Sequence, residues 1–208
     1  MRIDSENQMG MIKTALNNYH WLNQPQNFVL EAGRLLMETD PETDYWQRTY
    51  YGFCNNNAPT FTQEIEGDFS FTVKTEFETK MQYDQCGIIL YQDSENWMKS
   101  SVEYENTAFE RLGSVVTNLG FSDWATTDIP AIINTVWYRL SRRGSDFYIE
   151  FSLDGHHYQQ MRMFHMHNPI SAACVGVYAC SPLKSSFSAV FSEFELGECI
   201  WPEYSASK

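Results

Sequence analysis

The chain has 208 residues, room for one domain with a sizeable core and short tails. Lys and Arg total 14 against 27 Asp and Glu, a net charge of −13, which counts against nucleic-acid backbones and anionic membrane surfaces as partners, since both need basic patches. With 43% apolar and 20% charged residues the composition is that of a folded domain, and no apolar run approaches the roughly 18 residues of a membrane-spanning helix.

Residues 1–18 read as an N-terminal arm or a short helix; MGMIKTALNN has helical character but is too short to be stable alone. Asp4, Glu6, Asn7 and Gln8 stand where a signal peptide would be apolar. The five cysteines, Cys54, Cys86, Cys174, Cys180 and Cys199, are odd in number and lack CxxC spacing, as expected of free thiols in a reducing compartment. These observations together give a cytoplasmic expectation. The body spans 19–197. The tail, 198–208, ends in small polar residues and is expected to fray, with Trp201 able to pack back.

The body alternates with period two almost throughout. In FSFTVKTEFE, Phe69, Phe71, Val73, Thr75 and Phe77 face one way and Ser70, Thr72, Lys74, Glu76 and Glu78 the other, predicting a strand with one wet face. QCGIILYQ and WMKSSVEYE flank Asp93-Ser94-Glu95-Asn96 and predict a hairpin with a four-residue loop. A strand over Leu112–Asn118 follows, then a loop carrying FSDW. VWYRLSRR and FYIEFSL turn about Arg143–Asp146; Asp154-Gly155 signals another hairpin, with HYQQMRMF returning. Ala173–Tyr178 and Phe187–Leu196 complete the set. Strands at this spacing, with no long amphipathic helix, predict an all-β, antiparallel two-sheet β-sandwich.

The segments WLNQPQNF, ETDPETDYWQRTYYGF, EGDFSFTVK, YDQCGIILYQDSENWMKSSVEYEN, SVVTNLGFSDW, WYRLSRRG, SLDGHHY and FSEFEL, in that order, resemble a largely uncharacterised family with a concanavalin-A-like (lectin/glucanase) β-sandwich that includes a fungal protein associated with regulation of enolase. QCGIILYQDSENWMK is also similar to the accessory β-sandwich of some β-xylosidases. The resemblance spans about Trp21 to Leu196. It implies a jelly roll of two stacked sheets, one curved with an open groove on its face, and no established activity; fold analogy alone supplies none.

Parity nominates the groove face. Met98, Ser100, Val102 and Tyr104 form the more apolar set and face the core, leaving Trp97, Lys99, Ser101, Glu103 and Glu105 outward; Cys86, Ile88 and Leu90 go inward and Gln85, Gly87, Ile89 and Tyr91 outward; Tyr138 and Leu140 inward, Trp137 and Arg139 outward. Two loops pair a carboxylate with a tryptophan: one carries Asp44 and Trp46 and leads to Arg48 and Tyr50, the other carries Asp123 and Trp124. An indole stacked on a pyranose with Asp accepting from vicinal hydroxyls is the physics of sugar recognition; the plainer reading has both tryptophans plugging the core and both aspartates capping turns. The candidate ligand-binding set is therefore Asp44, Trp46, Tyr50, Gln85, Trp97, Lys99, Glu103, Asp123, Trp124 and Arg139.

Catalysis is weakly signalled. Glucanases of this fold class carry E-x-D-x-x-E on one strand, and EIEGD supplies Glu64, Glu66 and Asp68 without the last acid; Glu66-Gly67-Asp68 reads better as a turn. Glu103, on the face of Lys99, reads as ion-paired rather than as a carboxyl of raised pKa. His165 and His167 would share a strand face, and Asp40, Glu42 and Asp44 sit in one loop, yet no third histidine partner or calcium-loop pattern appears, so no metal and no cofactor is assigned. The expected function is a non-catalytic, lectin-like carbohydrate-binding module. The alternatives are a protein-interaction or regulatory module and, behind it, a glycoside hydrolase; the balance is against an enzyme. Expected partners are a carbohydrate or sugar phosphate, or a protein, with Lys99, Arg139 and Arg48 available to an anionic group.

Overall fold

A computed structural model describes residues 11–13, 15–168 and 171–204. The strands are β1 (Met11–Lys13), β2 (His20–Leu22), β3 (Phe28–Glu31), β4 (Arg34–Glu38), β5 (Tyr45–Gln47), β6 (Cys54–Asn56), β7 (Thr60–Glu66), β8 (Phe69–Phe77), β9 (Gln85–Asp93), β10 (Asn96–Tyr104), β11 (Phe109–Asn118), β12 (Phe121–Pro130), β13 (Thr135–Arg143), β14 (Asp146–Ser152), β15 (Gln159–His165), β16 (Ala172–Cys180) and β17 (Ser188–Gly197). Seven form a front sheet in the order β12-β11-β10-β9-β16-β7-β2. A back sheet runs β15-β14-β13-β8-β17-β4-β3, with β1 added beside β17. All ladders within the sheets are antiparallel. The fold is the expected two-sheet β-sandwich.

Period-two alternation builds the core. Ile88, Leu90, Met98, Val102, Val116 and Val175 of the front sheet meet Phe71, Val73, Tyr138, Leu140, Ile149 and Phe191 of the back sheet, all essentially inaccessible to solvent. The alternate positions of the front sheet are apolar as well. Ile89, Trp97, Val115, Tyr178 and Cys180 point away from the main core and make a second apolar cluster with Tyr45, Trp46 and Ala58. The cover is the β5–β6 hairpin, a two-stranded ladder laid on the outer face of the front sheet. An outer face this apolar would be costly if left wet, and burying one large aromatic side chain is worth about 1.5–3 kcal/mol.

Several local expectations are corrected. The β9–β10 loop is two residues, Ser94-Glu95, not four, because the ladder continues to Asp93 and Asn96. FSDW is not a loop: it opens β12, a ten-residue edge strand whose mostly exposed side chains mask its periodicity. The true turn is Leu119-Gly120, with φ of 52° and 77°, a backbone that suits the right-handed twist of a two-residue hairpin. The face of β8 read as wet is partly covered: Ser70 and Thr72 are buried, and Ile200 N–H donates to Ser70 Oγ at 3.0 Å. Trp201 stacks on Tyr148 with ring centroids 5.3 Å apart, and Arg143 holds its carbonyl at 2.6 Å. Of the stretch read as an arm or short helix, residues 1–10 and 14 lie outside the described residues; Met11–Lys13 pairs with β17 and Leu16–Asn18 makes one turn of 3-10 helix. Tail residues 205–208 also lie outside the description. All five cysteines are free.

Candidate ligand-binding groove

The outer face of the front sheet carries an open groove of about 420 Å³. Its floor follows from register. One row across the sheet is Ile89, Lys99, Val115, Trp124; another is Gln85, Glu103, Arg111, Asp128. Between them Gly87, Ser101 and Gly113 form a low row. A Cβ on Gly87 would stand 2.0 Å from the Ser100 carbonyl oxygen, and one on Gly113 2.5 Å from that of Ala125, so neither position accepts a side chain.

Polar groups on this floor are tied in one chain. Lys99 Nζ donates to Asp44 Oδ1 at 3.1 Å and to Gln85 Oε1 at 2.9 Å; the Tyr178 hydroxyl donates to the same Gln85 oxygen at 2.9 Å. With its carbonyl claimed twice, Gln85 turns its Nε2 toward the Glu103 carboxylate, at 3.0 Å, and the Tyr83 carbonyl, at 3.2 Å. Asp44 Oδ1 also accepts from Tyr45 N–H at 2.7 Å. Burial works against the charge of Lys99, but the carboxylates of Asp44 and Glu103 outweigh it and hold the ammonium above its ordinary pKa. Burial pushes the Glu103 carboxyl up to about 7; Lys99 counters only part of this. The expected Lys99–Glu103 ion pair is thus replaced by a Lys99–Asp44 pair, because the β4–β5 connection delivers a carboxylate 55 residues away in sequence.

The walls are aromatic. Trp46, Tyr51 and Phe53 stand on one side, where Tyr51 stacks on Phe53 at 5.6 Å and meets Trp46 edge-on at 5.4 Å. Trp46 Nε1 donates to the Thr49 carbonyl, which fixes its ring against the 48–52 loop. Trp124 from β12 lines the same groove with the Arg111 guanidinium 5.5 Å from its ring, and Tyr83, Pro182 and Leu183 complete the lining. Arg48 ties the 48–52 loop to the β11–β12 and β9–β10 turns, donating to Gly120 O at 2.9 Å and pairing with Glu95 at 2.7 Å.

Of the ten nominated residues, Asp44, Trp46, Gln85, Lys99, Glu103 and Trp124 line the groove. Trp97 is on the correct face but wholly buried beneath the hairpin, its Nε1 donating to Ser94 O at 3.3 Å. Tyr50 is almost fully exposed outside the lining, and Asp123 points away and pairs with Arg162. Arg139 belongs to the back sheet, where it pairs with Glu150 at 3.2 Å and lies 3.6 Å from the Tyr158 ring centroid. Parity gives the face of a strand but not its sheet. Val115 was readable by the same parity; Tyr51, Phe53, Tyr83, Pro182 and Leu183 come from loops, where no period operates. Glu64 and Glu66 lie outside the lining, and the turn at Gly67-Asp68 is as expected. Among the described residues no three His, Cys, Asp or Glu side chains are gathered as metal ligands, and no helix is long and apolar enough to cross a membrane.

This geometry can now be set beside known proteins. The yeast protein "Regulation of enolase protein 1" from Saccharomyces cerevisiae is 32% identical over 184 residues, 88% of this chain and 91% of its own length. A functionally unknown protein from Saccharomyces cerevisiae superposes with a TM-score of 0.83 at 30% identity, covering 88% of this chain and 97% of that one. A xylan β-1,4-xylosidase from Bacillus halodurans C-125 shares the fold, with a TM-score of 0.65 at 15% identity over 82% of this chain, but only 34% of the xylosidase is matched. A protein family of unknown function, DUF1349, matches residues 21–199, and with the yeast identity this places the chain in the DUF1349 family.

Proposed function

We propose that this chain is a non-catalytic carbohydrate-binding module whose ligand lies in the groove lined by Trp46, Tyr51, Phe53 and Trp124. The observation that carries the reading is a rigid polar floor beneath aromatic walls. Ring faces suit the C–H side of a pyranose, while carboxylate and ammonium groups already fixed by one another suit its hydroxyls. A sugar without a phosphate group fits better than a sugar phosphate, because Lys99 is already neutralised by Asp44 and Arg48 by Glu95. Glycoside hydrolysis is disfavoured. It needs an acid and a second carboxylate flanking the bond, about 5–5.5 Å or 6.5–9.5 Å apart, and Asp44 is committed to Lys99 and to Tyr45 N–H. Five free thiols fit a module that works in the cytoplasm.

A second reading, a regulatory protein-interaction module, is favoured by the name of the yeast relative. A thermal-shift panel of neutral and amino oligosaccharides and sugar phosphates separates the two, because a ligand of the native state raises its stability by RT ln(1 + [L]/Kd). The carbohydrate reading expects a saturable rise with sugars that carry no phosphate, which Trp124→Ala abolishes. A flat panel, with a stoichiometric protein partner recovered from lysate, replaces it with the regulatory reading.

A further inference from the structure

Taking the carbohydrate reading as its basis, we propose that the ligand of this groove is an amino sugar, with its ammonium group seated against Glu103. Asp44 and Glu103 line the groove with Lys99, and Glu105 and Asp128 lie beside Arg111 at its edge. Lys99 pairs with Asp44 at 3.1 Å and Arg111 with Glu105 at 3.3 Å. Glu103 has no ion pair of its own among the described residues, although it lines both the groove and the narrow crevice beneath Trp124.

The orientation of Glu103 follows from its neighbours. Its Oε2 accepts from Gln85 Nε2, and the Gln85 amide cannot turn over without losing Lys99 and Tyr178 from its oxygen. Oε1 is left without a donor. It is not among the buried unpaired atoms and lies on the groove lining, so it is open to accept from a ligand. The aromatic walls favour the same ligand charge, since the faces of Trp46, Tyr51 and Trp124 attract cations.

The protonation chemistry agrees. Glu103 is faced by Lys99 from its own strand, Glu105 just beyond that strand, Gln85 from β9, Arg111 from β11, Tyr178 and Cys180 from β16, and Asp44 from the β4–β5 connection. Burial keeps part of the Glu103 population protonated near neutrality. An arriving ammonium displaces that proton to solvent, so binding below pH 7 releases a proton. An N-acetylated sugar lacks the charge, and a neutral sugar gains only an ordinary hydrogen bond.

Isothermal titration of the full chain at pH 6.5, where glucosamine amines carry a proton in good part, tests this with three β-1,4-linked tetrasaccharides that differ only at C2: glucose (hydroxyl), N-acetylglucosamine (acetamido) and glucosamine (ammonium). The glucosamine oligomer is expected to bind about tenfold tighter than either other, the low end for a charge-assisted hydrogen bond. Glu103→Gln, which keeps the acceptor for Gln85, is expected to level the three. Equal affinities in the wild type, or a preference that survives Glu103→Gln, overturns the ammonium assignment and leaves the carbohydrate reading standing. Failure of all three to bind a folded protein overturns both.

Discussion

Lys99 has only 5% of its side chain exposed, yet it remains charged because Asp44, itself 14% exposed, lies 3.1 Å away. Removing one partner of such a pair costs about 3–5 kcal/mol by leaving a buried charge alone. Lys99→Met should therefore lower unfolding free energy in urea by that amount, and adding Asp44→Asn should restore much of it, a coupling that a double-mutant cycle reads directly. Glu103 gives a pH signature. Its folded pKa, about 7, lies above the ordinary 4.5, so between those values the folded chain keeps a proton that the unfolded chain has lost. Stability falls as pH rises through that window, and the full penalty, about 3 kcal/mol, is present above it. Glu103→Gln should match the wild type near pH 4 and exceed it at pH 8 in the same urea experiment. Equal stability at both ends would contradict the burial argument. The groove-facing side of Lys99 and Glu103 was legible from alternation; their partners were not, because Asp44 comes from a remote connection.

At the scale of elements, the β5–β6 hairpin makes the groove. It covers the apolar outer face with Tyr45 and Trp46 and leads the chain to Tyr51 and Phe53. Trp97→Ala should cost about 3–5 kcal/mol, as large aromatic deletions do, because Trp97 sits wholly within the second cluster. The β11–β12 turn holds the hairpin loop through Arg48. A Cβ on Gly120 would stand 1.8 Å from Arg48 Nη1, at a φ of 77° that side chains rarely adopt. Gly120→Ala should destabilise the fold by about 1–3 kcal/mol and detach Arg48 from the turn, seen as weaker ligand binding in calorimetry. Long strands with an apolar and a polar face, such as β8, β9 and β10, were legible from period two. The β12 edge strand was not, since its polar and exposed residues look like a loop, and three-residue strands such as β5 carry too few positions to show a period.

At the scale of the whole molecule, the sandwich was legible because strands at even spacing without amphipathic helices leave few other architectures. Sheet membership was not legible, and it decides which outward residues share a site. Arg139 alternates as Lys99 does, yet β13 lies in the back sheet and its outer face looks away from the groove. The six tryptophans report on this arrangement separately: Trp46 and Trp124 wall the groove, Trp97 is buried behind it, and Trp21, Trp137 and Trp201 lie elsewhere. The most direct measurement is therefore an NMR titration of the six indole N–H signals with the tightest-binding tetrasaccharide of the C2 series. The account predicts saturable shifts at Trp46 and Trp124, with Trp21, Trp137 and Trp201 unmoved. Shifts centred on Trp137, or no shift at Trp46 and Trp124 under saturating sugar, would contradict it.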